Sequence, residues 1–216
     1  MLKDKNELLQ LSQQLNGLSL WQLAGLCGVT VPDSQRRAKG WAGQLIEQAL
    51  GATAGSLPIA DFPDIGVELK TIPLDVNGKP RESTYICVLP MRQQYQVSFE
   101  QSVVYQKLHC VLWVPIEATP AIPLAERRIL KPRLWSPTDA QWSVLKADWQ
   151  ELTDMVALGE IANIRASLGE YLHIRPKAAS ARSLTASVNA VGEPILTLPR
   201  GFYLRTSFTG QIIREN

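Results

Sequence analysis

The stretch Asp61-Phe-Pro-Asp-Ile-Gly-Val-Glu-Leu-Lys70 decides how this chain is read. Asp61 and Glu68 stand seven positions apart, and Lys70 follows two residues later. Ile65 to Ile72 is expected to be a strand, whose side chains alternate between its faces. Glu68 and Lys70 then share one face, about 7 Å apart along the strand. Val67 and Leu69 point into a core, and a turn before Gly66 can return the Asp61 carboxylate towards Glu68. Two carboxylates able to hold a divalent cation, with an ammonium beside the attacked phosphate, make a workable phosphodiesterase site. An acid-x-Lys triplet arises by chance about once in a chain of this size. The other reading is an edge strand carrying a solvated Glu/Lys pair. The remainder of the chain has to decide between them.

At 216 residues the chain can bury a substantial core as one domain, with room for two lobes. The N-terminal Met-Leu-Lys-Asp-Lys-Asn-Glu is no secretory signal, and no apolar run approaches membrane-spanning length. A cytoplasmic protein without membrane contact is expected. Cys27, Cys87 and Cys110 lie far apart among apolar neighbours, and His109 and His173 give no zinc-type spacing. Buried, reduced thiols follow. The net charge of +2 is unevenly spread. Residues 161–216 carry seven Lys/Arg against three acids, whereas the first 160 sum to −2. A basic C-terminal part and a more acidic N-terminal part suit phosphate binding and metal ligation respectively.

Outward from the motif, the pattern predicts helices over 6–15, with Leu8, Leu11 and Leu15 on one face, and over 20–26, capped by Ser19. A third runs from Trp41 to Leu50 and is closed by Gly51. Glu47 on that helix is either solvated or turned into the same pocket as Glu68. The small residues 51–56 allow close backbone approach but lack the ending of a P-loop. Asn77-Gly78 predicts a hairpin that pairs residues 84–89 antiparallel to the acidic strand. With the β-prone run 110–114, this makes a sheet of at least three central strands. Residues 118–136 read as a proline-rich connection, and Ser136-Pro137 as a helix start. Trp142, Leu145, Trp149, Leu152 and Val156 form a helical stripe facing a core. A short helix over 161–168 and a strand over 171–175 are expected next. After them come a strand pair, 195–198 with 202–204, that puts Tyr203 near its tip, and a final helix from Ser207 to Arg214.

Several blocks together resemble one family, the MutH-type mismatch-repair endonucleases. They are Lys39-Gly-Trp-x-Gly43, Glu47, Leu50-Gly-Ala-x-Ala-Gly-Ser56, Asp61-Phe62 and Gly66-Val-Glu-Leu-Lys-Thr71. Val111-Leu-Trp-x-Pro115, Gly169-Glu170, Ile174-Arg-Pro-Lys-Ala178, Leu198-Pro-x-Gly-Phe-Tyr-Leu204 follow in family order. The resemblance implies an α/β restriction-endonuclease-like fold, a mixed central sheet flanked by helices. It implies one nuclease domain over 1–216, with a catalytic lobe (about 1–115) and a DNA-reading lobe (about 116–216) forming a DNA-binding cleft. The activity implied is Mg²⁺-dependent nicking 5′ to the G of GATC on the unmethylated strand of hemimethylated duplex DNA. Mn²⁺ or Ca²⁺ can occupy the same site. Activation by MutL after mismatch recognition by MutS, in a monomeric nuclease, is implied as well.

By matched position the resemblance makes Asp61, Glu68 and the Leu69 carbonyl the metal ligands. Lys70 would position the attacking water and stabilise charge on the phosphate. Glu47 and Lys107 complete the catalytic set, although a solvated lysine is the plain alternative at 107. Lys39, Tyr85, Arg175, Pro176, Lys177 and Tyr203 match the DNA-contacting elements. Arg175 offers a planar donor fork, and Tyr203 a ring and hydroxyl able to sense the adenine N6 edge. Tyr85 stands where a phenylalanine is usual. Val103-Val-Tyr-Gln106 replaces a His/Arg-rich run of the family, and the chain ends somewhat early at Asn216. Competing expectations are a type II restriction endonuclease of the same fold that cuts both strands, and a catalytically silent DNA-binding module.

Overall fold

Helix formation at the N-terminus follows local capping chemistry. In the computed structural model, which describes residues 2–33, 40–55, 57, 59–91, 97–177 and 183–215, α1 spans Lys5–Gln13. The Asp4 side chain accepts the N–H groups of Asn6 and Glu7 at its start. Helix α2, Leu20–Leu26, opens on a capping box in which Ser19 and Gln22 satisfy each other's backbone donors. Helix α3, Trp41–Leu50, ends on Gly51 in the left-handed conformation. These helices bury Leu8, Leu20, Leu23, Leu45, Ile46 and Leu50 in one core. Leu11 is exposed, and Ser12 takes its expected place in the buried stripe of α1.

The acidic stretch begins its strand later than expected. Pro63–Ile65 is a single 3-10 turn, Gly66 has φ 63°, and β1 runs Glu68–Leu74. Its partner is β3, Val111–Glu117, in parallel, with Glu68 opposite Val111 and Lys70 opposite Trp113. Strand β4, Arg133–Trp135, pairs antiparallel with β3, giving a mixed sheet in the order β1-β3-β4. The acidic motif therefore sits on an edge strand. The anticipated hairpin is corrected here: Gly78 N–H does donate to Asp75 O at 3.0 Å, but only a Leu74–Pro80 bridge follows. Strand β2, Thr84–Val88, joins a different sheet. Pro80 has no N–H to extend a ladder, which removes the reward for folding straight back.

The chain divides into two compact units. One comprises 1–82, 107–136 and 210–216; the other comprises 83–106 and 137–209. The chain thus passes between them several times, where the sequence suggested one change near residue 115. The first holds β1, β3, β4 and the helical core just described. The second holds an antiparallel sheet ordered β2-β8-β5, with β8 at Arg200–Leu204 and β5 at Leu172–Pro176.

Within the second unit, α5 spans Asp139–Ala157 and is capped by Thr138 and Gln141, two residues beyond the expected Ser136 cap. It buries Leu145, Trp149, Leu152 and Val156, as its periodicity requires. Phe99 packs against the rings of Trp142 and Trp149 at 5.8 and 5.6 Å. Replacing a fully buried leucine such as Leu145 by alanine would cost about 2–5 kcal/mol. Residues 161–168 form one 3-10 turn, Ile161–Asn163, and not the expected helix. Strand β7, Pro194–Thr197, pairs with β6, Thr185–Val188, and not with β8. Tyr203 accordingly lies inside the central strand of the β2-β8-β5 sheet, not at a hairpin tip. Among the described residues, α4 spans Val103–Leu108 and α6 spans Thr206–Arg214. No helix among the described residues is long and apolar enough to cross a membrane.

Candidate active site

A tight reversal puts the two motif acids together. Phe62 and Val67 exchange backbone hydrogen bonds of 2.9 and 3.2 Å around the Pro63–Ile65 turn. Gly66 supplies the left-handed residue that closes this reversal. Asp61 is returned beside β1, where its Oδ2 accepts the Leu69 N–H at 2.8 Å. The small residues before it serve the same end: Thr53 and Ala54 N–H both donate to the Asp61 carbonyl. Close backbone approach at Thr53 and Ala54 thus fixes an acid, and those two amides are not left for a phosphate.

Glu68 is almost completely buried, at 1% exposure. A lone carboxylate there would be prohibitively costly, so it needs hydrogen-bonded cations. Lys70 Nζ reaches Glu68 Oε1 at 2.5 Å, confirming that the two side chains share a face. Lys107 Nζ, from the end of α4, lies 2.9 and 3.0 Å from the two oxygens of the same carboxylate. It also donates to the Ile59 carbonyl at 3.2 Å. Lys107 is therefore no solvated surface lysine.

Glu47 belongs to the same electrostatic cluster. Burial, followed by repulsion from Asp61, raises its pKa above the ordinary carboxylate value, with Lys70 opposing. Asp61 is raised as well, by burial first and Glu68 second, against the Leu69 hydrogen bond. Both shifts report negative charge concentrated in a poorly hydrated place. A hard divalent cation with oxygen ligands fits that donor set. Leu69 fits as a third donor: within a strand a residue's N–H and C=O point to the same edge. Its N–H faces Asp61, so its carbonyl does too, away from β3. Among the described residues no group of three acid, histidine or cysteine side chains is placed to hold a metal ion by itself.

The second unit gathers Tyr85, Tyr203, Arg175 and Lys177 on one sheet face. Tyr85 lies opposite Tyr203 in register, with ring centroids 5.3 Å apart in an edge-on pair. On the other side of β8, His173 faces Tyr203 and Arg175 faces Gly201. Arg175, Pro176 and Lys177 are exposed at the end of β5. The Arg175 guanidinium is 6.0 Å from the Tyr203 ring centroid, and Lys177 Nζ is 3.2 Å from that of Tyr85. Burial is the main cause that pushes the Tyr85 hydroxyl up to about 12, so it stays protonated. A Cβ on Gly201 would meet the Tyr85 ring and the Cys87 carbonyl at 2.9 Å each. Glycine is what lets the tyrosine ring lie over β8. Lys39 falls outside the described residues.

The family model described as "DNA mismatch repair enzyme MutH" matches residues 50–148. Among curated relatives, the DNA mismatch repair protein MutH of Vibrio cholerae is 51% identical over 211 residues, covering 98% of this chain and 96% of the relative. The protein of the same name from Escherichia coli is 51% identical over 212 residues, 98% and 93% of the respective chains. The chain belongs to the MutH family. The model match takes in Asp61, Glu68, Lys70 and Lys107 of this MutH-family chain, and the longer alignments extend over nearly all the rest. It thus belongs to a family of DNA mismatch-repair enzymes.

Some residues that shape these two places carried no readable signal. Asp148, buried on α5, accepts the N–H groups of Glu170, Tyr171 and Leu172 at 2.7–2.8 Å. Arg205 donates to the Gly169, Ala166 and Leu168 carbonyls. Together they fix the entry to β5 and hence the start of the strand that carries Arg175. Asp148 sits between apolar stripe positions on a helix, where an acid reads as solvated.

Proposed function

We propose that this MutH-family chain is a methyl-directed mismatch-repair endonuclease of restriction-endonuclease-like fold. It nicks the unmethylated strand 5′ to the G of hemimethylated GATC sites. The observation that carries the reading is the convergence of Asp61, Glu68, Lys70 and Lys107 around the edge of β1. Asp61, Glu68 and the Leu69 carbonyl would hold Mg²⁺, with Glu47 nearby. When bound, the cation neutralises phosphate charge and makes the attacking water more acidic.

The protein's own groups supply the remainder. Lys70, on the same face as Glu68, holds an ammonium against the scissile phosphate, orients the water and stabilises the charge that grows on the phosphate oxygens. Lys107, in contact with both Glu68 oxygens, holds that carboxylate in its orientation. In-line attack then leaves a 5′-phosphate and a 3′-hydroxyl. The second unit's sheet face reads the duplex. Arg175 offers paired donors to a base edge or phosphate, Lys177 a phosphate contact, and Tyr85, Pro176 and Tyr203 the apolar surface where an adenine N6-methyl group is felt. Lys39 adds a phosphate contact. The protein acts as a cytoplasmic monomer, activated by MutL once MutS has recognised a mismatch.

A nicking assay in Mg²⁺ on unmethylated, hemimethylated and fully methylated GATC duplexes tests the reading. Single-strand cutting of the first two, stimulated by MutL, with the third resistant, is expected. Equal cutting of all three would sink methyl sensing, and concerted double-strand cutting would favour a restriction enzyme.

A further inference from the structure

Ser83 is the residue immediately before β2, and it bridges two side chains of β5. Its Oγ lies 3.0 Å from His173 Nε2 and accepts Arg175 Nη1 at 3.4 Å. His173 is buried and stands opposite Tyr203 in register, with its ring edge-on to that tyrosine at 6.3 Å. Arg175, two residues on, shares that face of the sheet but is exposed. Arginine has more rotamer freedom to lose than most side chains, so an exposed guanidinium is a poor reader unless something fixes its direction.

We propose that Ser83 and His173 are positioning residues that aim the Arg175 guanidinium along the β2-β8-β5 face, and so set sequence discrimination without touching DNA. The inference rests on the reading of Arg175 as a DNA-contacting residue. Burial first, and the nearby Arg205 second, hold the His173 pKa down to about 4, so the ring is neutral at working pH. A neutral imidazole presents an acceptor nitrogen, unlike the imidazolium. In the tautomer with Nε2 as acceptor, the Ser83 hydroxyl donates to His173 and turns its lone pairs to Arg175. A protonated ring would instead add a second positive charge beside the guanidinium. Burial thereby keeps the partner that Ser83 requires.

The test compares single-turnover nicking of a GATC duplex with that of the same duplex carrying one altered base pair. Ser83→Ala is expected to lower kcat/KM on GATC about tenfold, the worth of one hydrogen bond to a charged group. Cutting of the altered duplex, affinity for DNA without GATC and melting temperature should stay within about twofold, or about 2 °C, of wild type. Ser83→Thr should retain discrimination, and His173→Gln should reproduce the loss. Ser83→Cys carries the same expectation as Ser83→Ala if alanine destabilises the fold. In an Arg175→Ala background, Ser83→Ala should cost nothing further. If Arg175→Ala cripples GATC nicking while Ser83→Ala is silent or multiplies with it, the positioning role is overturned and Arg175 stands. If Arg175→Ala is itself silent, the reading of Arg175 falls and the positioning role with it.

Discussion

The first unit's charged cluster and the second unit's basic face solve opposite problems with similar side chains. Around β1, lysines are turned inward, and Lys70 and Lys107 both close on a single buried carboxylate. Around β5 and β8 the cations are exposed and lie against tyrosine rings. In the first place the protein holds its acids against their electrostatic preference, as the raised pKa values of Asp61 and Glu47 record. In the second, the cations keep their charge available. Chemistry on a phosphate demands preorganised opposing charges, whereas reading a duplex demands donors that can still reach it.

Substitutions can break this contrast. The largest effect is expected for Asp61→Asn, with nicking lower by about 10³ or more. The asparagine oxygen can still accept the Leu69 N–H, and the metal-free protein should melt higher at neutral pH because a penalised charge is gone. A lower melting temperature would mean that Asp61 is mainly structural. Next comes Arg175→Ala, expected to reduce discrimination between GATC and altered sites by about 1–3 kcal/mol, measured as a ratio of nicking rates. A uniform loss over all sequences would reclassify it as a phosphate contact. Lys177→Ala should weaken binding to all sequences and reduce the slope of log affinity against log salt by about 1. A change in sequence preference without a salt effect would contradict that role.

Glu47→Gln gives the smallest effect and sharpens the contrast through pH. A carboxylate whose pKa is raised on folding binds protons more tightly in the native state, so its ionisation lowers stability as pH rises. Glu47→Gln should therefore melt slightly higher than wild type at neutral pH. The difference should vanish as pH falls below the ordinary carboxylate value of 4.5. A difference that persists in acid would assign the gain to packing.

Legibility in the sequence tracked the range of the interaction. The start of α2 and the Gly51 ending of α3 were readable because caps act within one turn. The shared face of Glu68 and Lys70 was readable because strand alternation is local. Lys107 meets Glu68 across 39 positions and owes its place to α4, formed from the β-branched Val103-Val104 that local preference would not make helical. Strand pairing failed similarly. Asn77-Gly78 makes its turn, yet β2 pairs with a strand more than a hundred residues away. Asn189 and Gly192 bound the β6-β7 turn, a signal that was present but overshadowed by Pro199-Arg-Gly201. The Ser83–His173–Arg175 contact joins residues about ninety positions apart, and no periodicity announces it.

The claim that matters most is that Lys70 serves the chemistry and not the grip on DNA. Single-turnover nicking by Lys70→Ala, in Mg²⁺ with hemimethylated GATC duplex at saturation and a binding isotherm alongside, tests it most directly. The expected result is near-wild-type affinity with nicking lower by about 10³. Nicking within tenfold of wild type, or affinity lost together with it, would contradict the account.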